Sequence, residues 1–199
     1  MSGSTRPPLA IALNPGLPDH IATEALDLLN DAGTPAALVR LSGGPYAGLE
    51  LYLPSAVALF IASSYFGGAF KKAGEEHYLA LKKAAGKLYR RSRVISTAAV
   101  GRANEVAGGG GFSLVYSIRG EVASGLSFKF VLVRDVNIAE ADAGMSAFLD
   151  LLRNIHDGDY DTELLAYQPI GGQVVVTYDA KLGRIVPVDV LARVRALAE

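Results

Sequence analysis

The chain has 199 residues, of which half are hydrophobic and a fifth are charged, and its formal net charge is −1. This composition is typical of a globular protein, and the length suffices for one large domain or two small ones. The absence of cysteine excludes disulfides, Cys-ligated zinc, iron–sulfur clusters and thiol nucleophiles. It is also compatible with the reducing cytoplasm, where we expect the protein to reside.

The first half of the sequence predicts strands and helices in alternation. Its strand candidates are Leu9–Leu13 and residues 36–41, 48–53 and 93–100. The first of these apolar runs is too short for a secretory signal. Between the first two strands, Asp19 can cap a helix, which Gly33 and Pro35 then end. The resulting order of elements is compatible with a ferredoxin-like layout.

Residues 51–70 form a run of twenty residues without a charge. With Pro54 at the start of a helix, residues 56–70 predict an apolar helix that is short for a membrane span. Small residues at a spacing of four would let a second helix or a sheet approach it closely: Ser63, Ser64, Gly67 and Gly68. We expect a buried core or oligomer helix, and a membrane-inserting or interfacial helix is the alternative.

Residues 71–93 predict an amphipathic helix with a strong positive charge. The segment holds eight Lys or Arg against two Glu, a net charge of +6, so the rest of the chain carries −7. A solvated helix face would explain this pattern, and so would contact with an anionic neighbour. The residues predicted to contact such a neighbour are Lys71, Lys72, Lys82, Lys83, Lys87, Arg90, Arg91 and Arg93.

Four consecutive glycines at 108–111 separate the two halves of the sequence. They predict a flexible joint at 107–111, because glycine loses much conformational entropy when it is fixed. The joint would connect a βαββα-type half at 1–106 with a ββαββα half at 112–199. The alternative is that both halves belong to one continuous domain.

The second half predicts two hairpins with a helix between them. Apolar and polar residues alternate along four strand candidates: residues 112–118, 126–133, 173–178 and 184–188. Asn137 and Glu140 form a capping-box-like pair at the start of the helix, and Asp189 can cap a short final helix. The fold class is therefore α+β, with an antiparallel or mixed sheet, packed helices and a long or broken central helical segment at about 55–92.

An acidic loop at 156–163 is the best candidate for a metal or catalytic site. Its alternating carboxylates resemble the start of a calcium loop: Asp157, Asp159, Asp161 and Glu163. The match then fails, because Thr162 and Gln168 stand where glycine and glutamate are needed. A polar turn between a helix and a strand explains the same residues. No motif indicates a cofactor or a catalytic nucleophile.

Two functions follow from these patterns. The first is a non-enzymatic interaction protein that uses the apolar and basic helical segment for self-association, docking to a protein partner or peripheral contact with an anionic membrane. Nucleic acid ranks below these partners, because no recognisable nucleic-acid-binding fold accompanies the basic segment. The alternative is a small metal-assisted hydrolase that uses the acidic loop.

Overall fold

Within the part of the chain that the structure describes, seven strands form one mixed sheet, and three helices accompany it. The computed structural model describes residues 7–41, 55–95, 111–123, 125–159 and 171–189, together with Leu164, Ala166, Tyr167 and Pro169. The predicted strand at 48–53, the glycine joint before Gly111 and the helix after Asp189 lie outside the described residues. The predicted α+β class is confirmed.

The elements follow one another along the whole described chain. The strands are β1 (Leu9–Leu13), β2 (Ala36–Arg40), β3 (Val57–Ile61), β4 (Phe112–Ala123), β5 (Leu126–Val133), β6 (Gln173–Asp179) and β7 (Arg184–Pro187). The helices are α1 (His20–Asp31), α2 (Phe70–Ser92) and α3 (Ile138–Asp157), with a π-helical turn at Tyr65–Ala69 directly before α2.

The strand order in the sheet is β2-β1-β3-β4-β5-β6-β7. Strands β1 and β2, β3 and β4, and β5 and β6 are parallel neighbours, and each pair flanks one of the three helices in sequence. The remaining neighbours are antiparallel. The ferredoxin-like layout is wrong, because its β-α-β units are split by an intervening strand whereas β1 and β2 are adjacent.

The first part of the predicted central helix is instead strand β3. Residues Val57–Ile61 lie between β1 and β4, and four of the five are buried. An apolar run fits a buried strand as well as a buried helix, so its periodicity alone could not separate them. Helical structure begins after this strand, at Ser63. The segment is broken, as expected, by a kink at Gly74, where φ is 72° and ψ is −163°.

Both halves of the chain contribute to one large hydrophobic cluster. Leu59 of β3 is the register partner of Ile118 of β4, and both side chains belong to this cluster. Tyr116, also on β4, is fully buried, and its hydroxyl donates a hydrogen bond to the carbonyl oxygen of Ala85 on α2 at 3.2 Å. The cluster includes residues of α1, α2 and α3, so the three helices lie on the same face of the sheet.

Helix α3 begins as the sequence predicts. The side-chain oxygen of Asn137 accepts a hydrogen bond from the backbone N–H of Glu140 at 2.8 Å, which satisfies an otherwise unpaired helix donor. Helix α1 is different, because Asp19 makes no capping bond and its carboxylate pairs with Arg40 of β2. Both predicted hairpins, β4–β5 and β6–β7, are present.

No helix among the described residues is both long and apolar enough to cross a membrane.

Candidate functional site

The basic face of α2 is occupied by ion pairs with the two neighbouring helices. On the α1 side, Glu24 pairs with Lys87 at 3.7 Å and with Arg91. On the α3 side, the pairs are Lys82 with Asp150 at 2.9 Å, and Arg90 with Asp142. We call these four pairs the ionic seam. They account for much of the local positive charge, which is matched by acidic residues on α1 and α3.

The most buried part of the ionic seam surrounds Tyr78. Its hydroxyl donates to Asp150 at 2.7 Å, and the cations of Lys82 and Arg153 lie 4.7 Å and 4.6 Å from its ring centroid. Burial acts to raise the pKa of Asp150, but the hydrogen bonds from Tyr78 and Lys82 outweigh it and lower that pKa. Burial, together with the hydrogen bond to Asp150, raises the pKa of Tyr78.

Two cations of the basic segment remain outside the seam. Of the predicted contact residues whose side chains are described, Lys83 and Arg93 make no ion pair with any described residue. The side chains of Lys71 and Lys72 lie outside the described structure. Lys83 is exposed on the outer surface of α2, whereas Arg93 lies directly after the last residue of the helix.

Arg93 lines a cavity of 360 Å³ at one end of the sheet, which we call the arginine cleft. Its walls come from the end of α2, the start of β4 and the turn between β5 and α3. The side chains that matter for its chemistry are Tyr89, Arg93, Phe112, Val133, Arg134 and Asp135. Because α2 and α3 run antiparallel, the end of one and the start of the other meet at this edge of the sheet.

The end of α2 fixes the position of Arg93. Its guanidinium carbon lies 5.9 Å from the centroid of the Tyr89 ring, within the range of a cation–π interaction. The hydroxyl of Ser92 is buried and donates to the carbonyl oxygen of Tyr89 at 2.7 Å. Backbone bonds from Arg93 to Tyr89 at 3.1 Å and from Ile95 to Ser92 at 3.0 Å complete the last turn.

The opposite wall is the tight turn between β5 and α3. The backbone N–H of Arg134 donates to the carbonyl oxygen of Gly111 at 2.5 Å, and that of Val136 donates to Val133 at 3.4 Å. Asp135 has a φ of 62°, the one left-handed conformation among the described non-glycine residues. Arg134 is exposed and makes no ion pair within the described part of the chain.

A second cavity of 760 Å³ adjoins the arginine cleft, because Phe112 and Val133 line both. One of its charged groups already serves local structure. The carboxylate of Asp179 accepts hydrogen bonds from the backbone of Lys181 at 2.9 Å and Leu182 at 3.1 Å in the β6–β7 turn. The smaller cleft is the better candidate site, since its two arginines are not committed in this way.

The acidic loop begins with a helix terminus. Asp157 is the last residue of α3, and Gly158 follows it in the left-handed conformation with a φ of 94°. The backbone N–H of Asp159 donates to the carbonyl oxygen of Asn154 at 2.9 Å, as in a Schellman-type helix end. Asp157 and Asp159 are exposed, and Asp161 and Glu163 lie outside the described residues.

His156, at the start of the predicted acidic loop, contacts an aromatic ring and a backbone carbonyl. Its ring stacks on Phe66 with a centroid distance of 4.8 Å, and its Nε2 lies 3.0 Å from the carbonyl oxygen of Glu121. Within the described ranges, no group of three or more His, Asp or Glu residues could hold a metal ion. The metal site and the hydrolase stay sequence predictions, and nothing in the described geometry supports them.

The small residues of the apolar segment lie between β3 and α2. Ser63 is half-buried and Ser64 is exposed. A Cβ built on Gly67 would meet nothing within 4 Å, so no close approach occurs at this glycine. The exposure of Gly68 is outside what the structure describes. Close helix packing through this pattern therefore also stays a prediction.

Sequence reasoning missed Arg134, Asp135 and the shape of the arginine cleft. The one available signal was an arginine followed by aspartate in the short connection between a predicted hairpin and a predicted helix. Nothing in that signal placed it beside the end of α2. No protein-family model, curated protein sequence or solved structure matches this chain.

Proposed function

We propose that this protein is a non-enzymatic binding protein that holds the anionic group of a ligand in the arginine cleft. One contrast carries the proposal. Four cations of α2 are paired within the molecule, whereas Arg93 and Arg134 line a cavity and make no ion pair with a described residue. Both are arginines, whose planar guanidinium groups suit bidentate contacts with carboxylate or phosphate.

The remaining groups in the cleft favour binding over chemistry. Arginine keeps its proton at physiological pH, so it stabilises an anion without acting as a general base. The hydroxyl of Ser92 is engaged with Tyr89, and that of Ser113 accepts a hydrogen bond from the backbone N–H of Val115 at 3.3 Å. These residues can orient and neutralise an anion that enters between the two arginines.

Docking to a protein partner, to a second copy of the chain or to an anionic membrane stays a broader form of this proposal. The ionic seam engages four of the eight basic residues that the sequence offered for such contacts. The exposed outer surface of α2 is correspondingly less positive than its sequence indicates. We therefore favour the cleft over the helix face.

Thermal unfolding in the presence of small anions tests the proposal. Acetate and inorganic phosphate should each raise the melting temperature above that in chloride of equal ionic strength. A ligand at ten times its Kd stabilises the folded state by about 1.4 kcal/mol. For a chain of this length, that gain corresponds to roughly 3–6 °C.

The double variant Arg93→Gln/Arg134→Gln should lose this shift. Lys83→Gln is the matched control, because it removes an exposed, unpaired cation of the same segment outside the cleft. The control should keep the full shift. The proposal is wrong if neither anion stabilises the natural protein, or if Lys83→Gln abolishes the effect as completely as the double variant.

A further inference from the structure

We propose that the ligand of the arginine cleft is an amphiphilic monocarboxylate, with one carboxylate at the arginines and an apolar tail along the cavity wall. This inference rests on the proposed function, and it adds the chemical class of the ligand. Three features carry it: the net charge of the described lining residues, the apolar side chains among them, and the volume of the cleft.

The charge of the lining matches a single negative charge. Arg93 and Arg134 contribute two positive charges, and Asp135 contributes one negative charge to the same cavity. Among the described residues, the lining therefore has a net charge of +1, which complements the single negative charge of a carboxylate at pH 7. A phosphate monoester carries about −1.5 to −2, more than the described lining neutralises, so we expect a carboxylate to fit the cleft better.

Apolar side chains form one part of the cleft wall, beside the arginines and Asp135. The aliphatic and aromatic side chains that line the cleft are Ile95, Phe112, Val115, Val133 and Val136. A fully hydrated ion would gain nothing from these groups, whereas a hydrocarbon tail would bury its surface against them. A site that combines apolar side chains with placed charged groups can bind both parts of an amphiphilic ligand.

The size and surroundings of the cleft suit a tail of several carbons. Its volume of 360 Å³ lies toward the small end of the range for ligand pockets. Phe112 and Val133 separate it from the second cavity of 760 Å³, which has the same two side chains in its wall. The apolar side chains of Phe112 and Val133 therefore mark the end of the cleft that a tail of several carbons can reach.

Calorimetric titration with acetate, butanoate, hexanoate and octanoate tests the inference. Each added methylene that is buried should tighten Kd by about fourfold, until the tail outgrows the apolar wall. With 1-octanol in place of octanoate, binding should weaken at least tenfold, because the charge-assisted hydrogen bonds are lost. Octylammonium should not bind measurably.

Two kinds of variant separate the head from the tail. Arg134→Gln, and independently Arg93→Gln, should weaken acetate and octanoate binding alike, by about tenfold. Val133→Thr keeps the shape of a side chain that is 43% exposed and should weaken octanoate binding about threefold while leaving acetate unchanged. Lys83→Gln should leave the Kd of every compound unchanged.

The possible results distinguish the two proposals. If acetate and phosphate bind but the tail length has no effect on Kd, the anion site stands and the amphiphilic ligand is wrong. If 1-octanol binds as tightly as octanoate, the role of the arginines in selecting the ligand is wrong. If no compound binds to the natural protein, both proposals are overturned.

Discussion

Gly120 of β4 and Leu152 of α3 form a contact that a pair of substitutions can test. An ideal Cβ built on Gly120 would lie 2.7 Å from Cδ2 of Leu152 and closer still to its Cδ1. Both residues are buried, and Leu152 is fully enclosed. Real Cβ contacts of this kind do not occur at such distances, so a methyl group at position 120 must displace the leucine or the helix.

The structure sets the size of the expected effects. Gly120→Ala should lower the free energy of unfolding by about 2 kcal/mol, because overpacking of a tight core costs about 1–3 kcal/mol. Leu152→Ala should lower it by about 3.5 kcal/mol, within the range of about 2–5 kcal/mol for such truncations. In the double variant the new methyl occupies space that the leucine vacated. We therefore expect a total loss of about 3 kcal/mol rather than the additive value of about 5.5 kcal/mol.

Equilibrium unfolding in urea, followed by far-ultraviolet circular dichroism, measures the four free energies of this cycle. The coupling energy, which is the difference between the additive and the expected loss, should be about 2.5 kcal/mol in favour of the double variant. The same cycle with Gly144→Ala in place of Gly120→Ala is the matched control. A Cβ on Gly144 would meet Tyr178 and Phe130 instead, so Leu152→Ala should not rescue it.

Strict additivity at positions 120 and 152 would refute the reasoning. It would mean that α3 does not lie against β4 in the observed register. A rescue of Gly144→Ala by Leu152→Ala would be equally damaging, because it would show a general loosening of the core rather than relief of one contact.

Three further predictions concern stability. Asp150→Ala should lower the free energy of unfolding by about 1–2 kcal/mol at pH 7. Asp142→Ala should lower it by less, because of these two aspartates Asp150 is the one that also accepts a hydrogen bond from a buried tyrosine. The pKa of Asp150 is lower in the folded chain than its unfolded value of about 3.9. Its contribution to the free energy of unfolding is therefore present above that pH and is lost as the pH falls through the folded pKa. Urea unfolding of the natural protein and the variant at pH 7 and below pH 4 measures this loss. Burial raises the pKa of Tyr65 to about 12, so its phenolate should appear late in an absorbance titration, and stability should fall as the pH rises above about 10, where the unfolded tyrosine ionises. Asn137→Ala should cost about 1 kcal/mol in urea unfolding, and Asp19→Ala less, since Asp19 makes no capping bond.

Each of these predictions has a contradicting outcome. Equal losses of unfolding free energy for the two aspartate variants would show that the hydrogen bond from Tyr78 to Asp150 adds no stability. Ionisation of every tyrosine near pH 10 in the folded protein would contradict the burial of Tyr65. Equal losses for the two cap variants would show that the capping bond of Asn137 contributes nothing.

The elements with a clear local pattern could be predicted from sequence alone. The hairpins β4–β5 and β6–β7 show alternation with turn residues between them, and Asn137 marks the start of α3 with its own side chain. These signals are local, because strand alternation and capping both act within a few residues. Predicting these elements required no knowledge of which parts of the chain pack against them.

The central segment could not be predicted in the same way. Residues Val57–Ile61 are apolar throughout, and four of the five are buried, because β3 lies inside the sheet between β1 and β4. This pattern fits a buried helix equally well. The charge of α2 was also ambiguous. Its partners Glu24, Asp142 and Asp150 are 50 or more residues away in sequence, and only the helix packing brings them together.

The arginine cleft depends still more on tertiary structure. Arg93 and Arg134 are separated by an entire hairpin, and their neighbourhood follows from the antiparallel packing of α2 against α3. Asp135 adopts its left-handed conformation in a turn whose sequence has neither glycine nor asparagine at that position. Sequence patterns indicate which residues are helical or buried, but they do not indicate which helix and strand ends lie next to each other in the fold.

The arrangement of the three parallel strand pairs has a consequence for the handedness of the chain. Strands β1 and β2 run antiparallel to β3 and β4. The step from β1 to β2 goes toward one edge of the sheet, and the step from β3 to β4 goes toward the other edge. Because both the strand direction and the direction of the step are reversed, these two crossovers have the same hand. Strands β5 and β6 restore the first direction while the chain keeps moving toward the β7 edge, with α3 on the same face as α1 and α2. The third crossover must therefore be the mirror sense of the other two, although about 98% of such connections are right-handed. The sheet is therefore not three copies of one β-α-β arrangement, because such copies would all have the same hand.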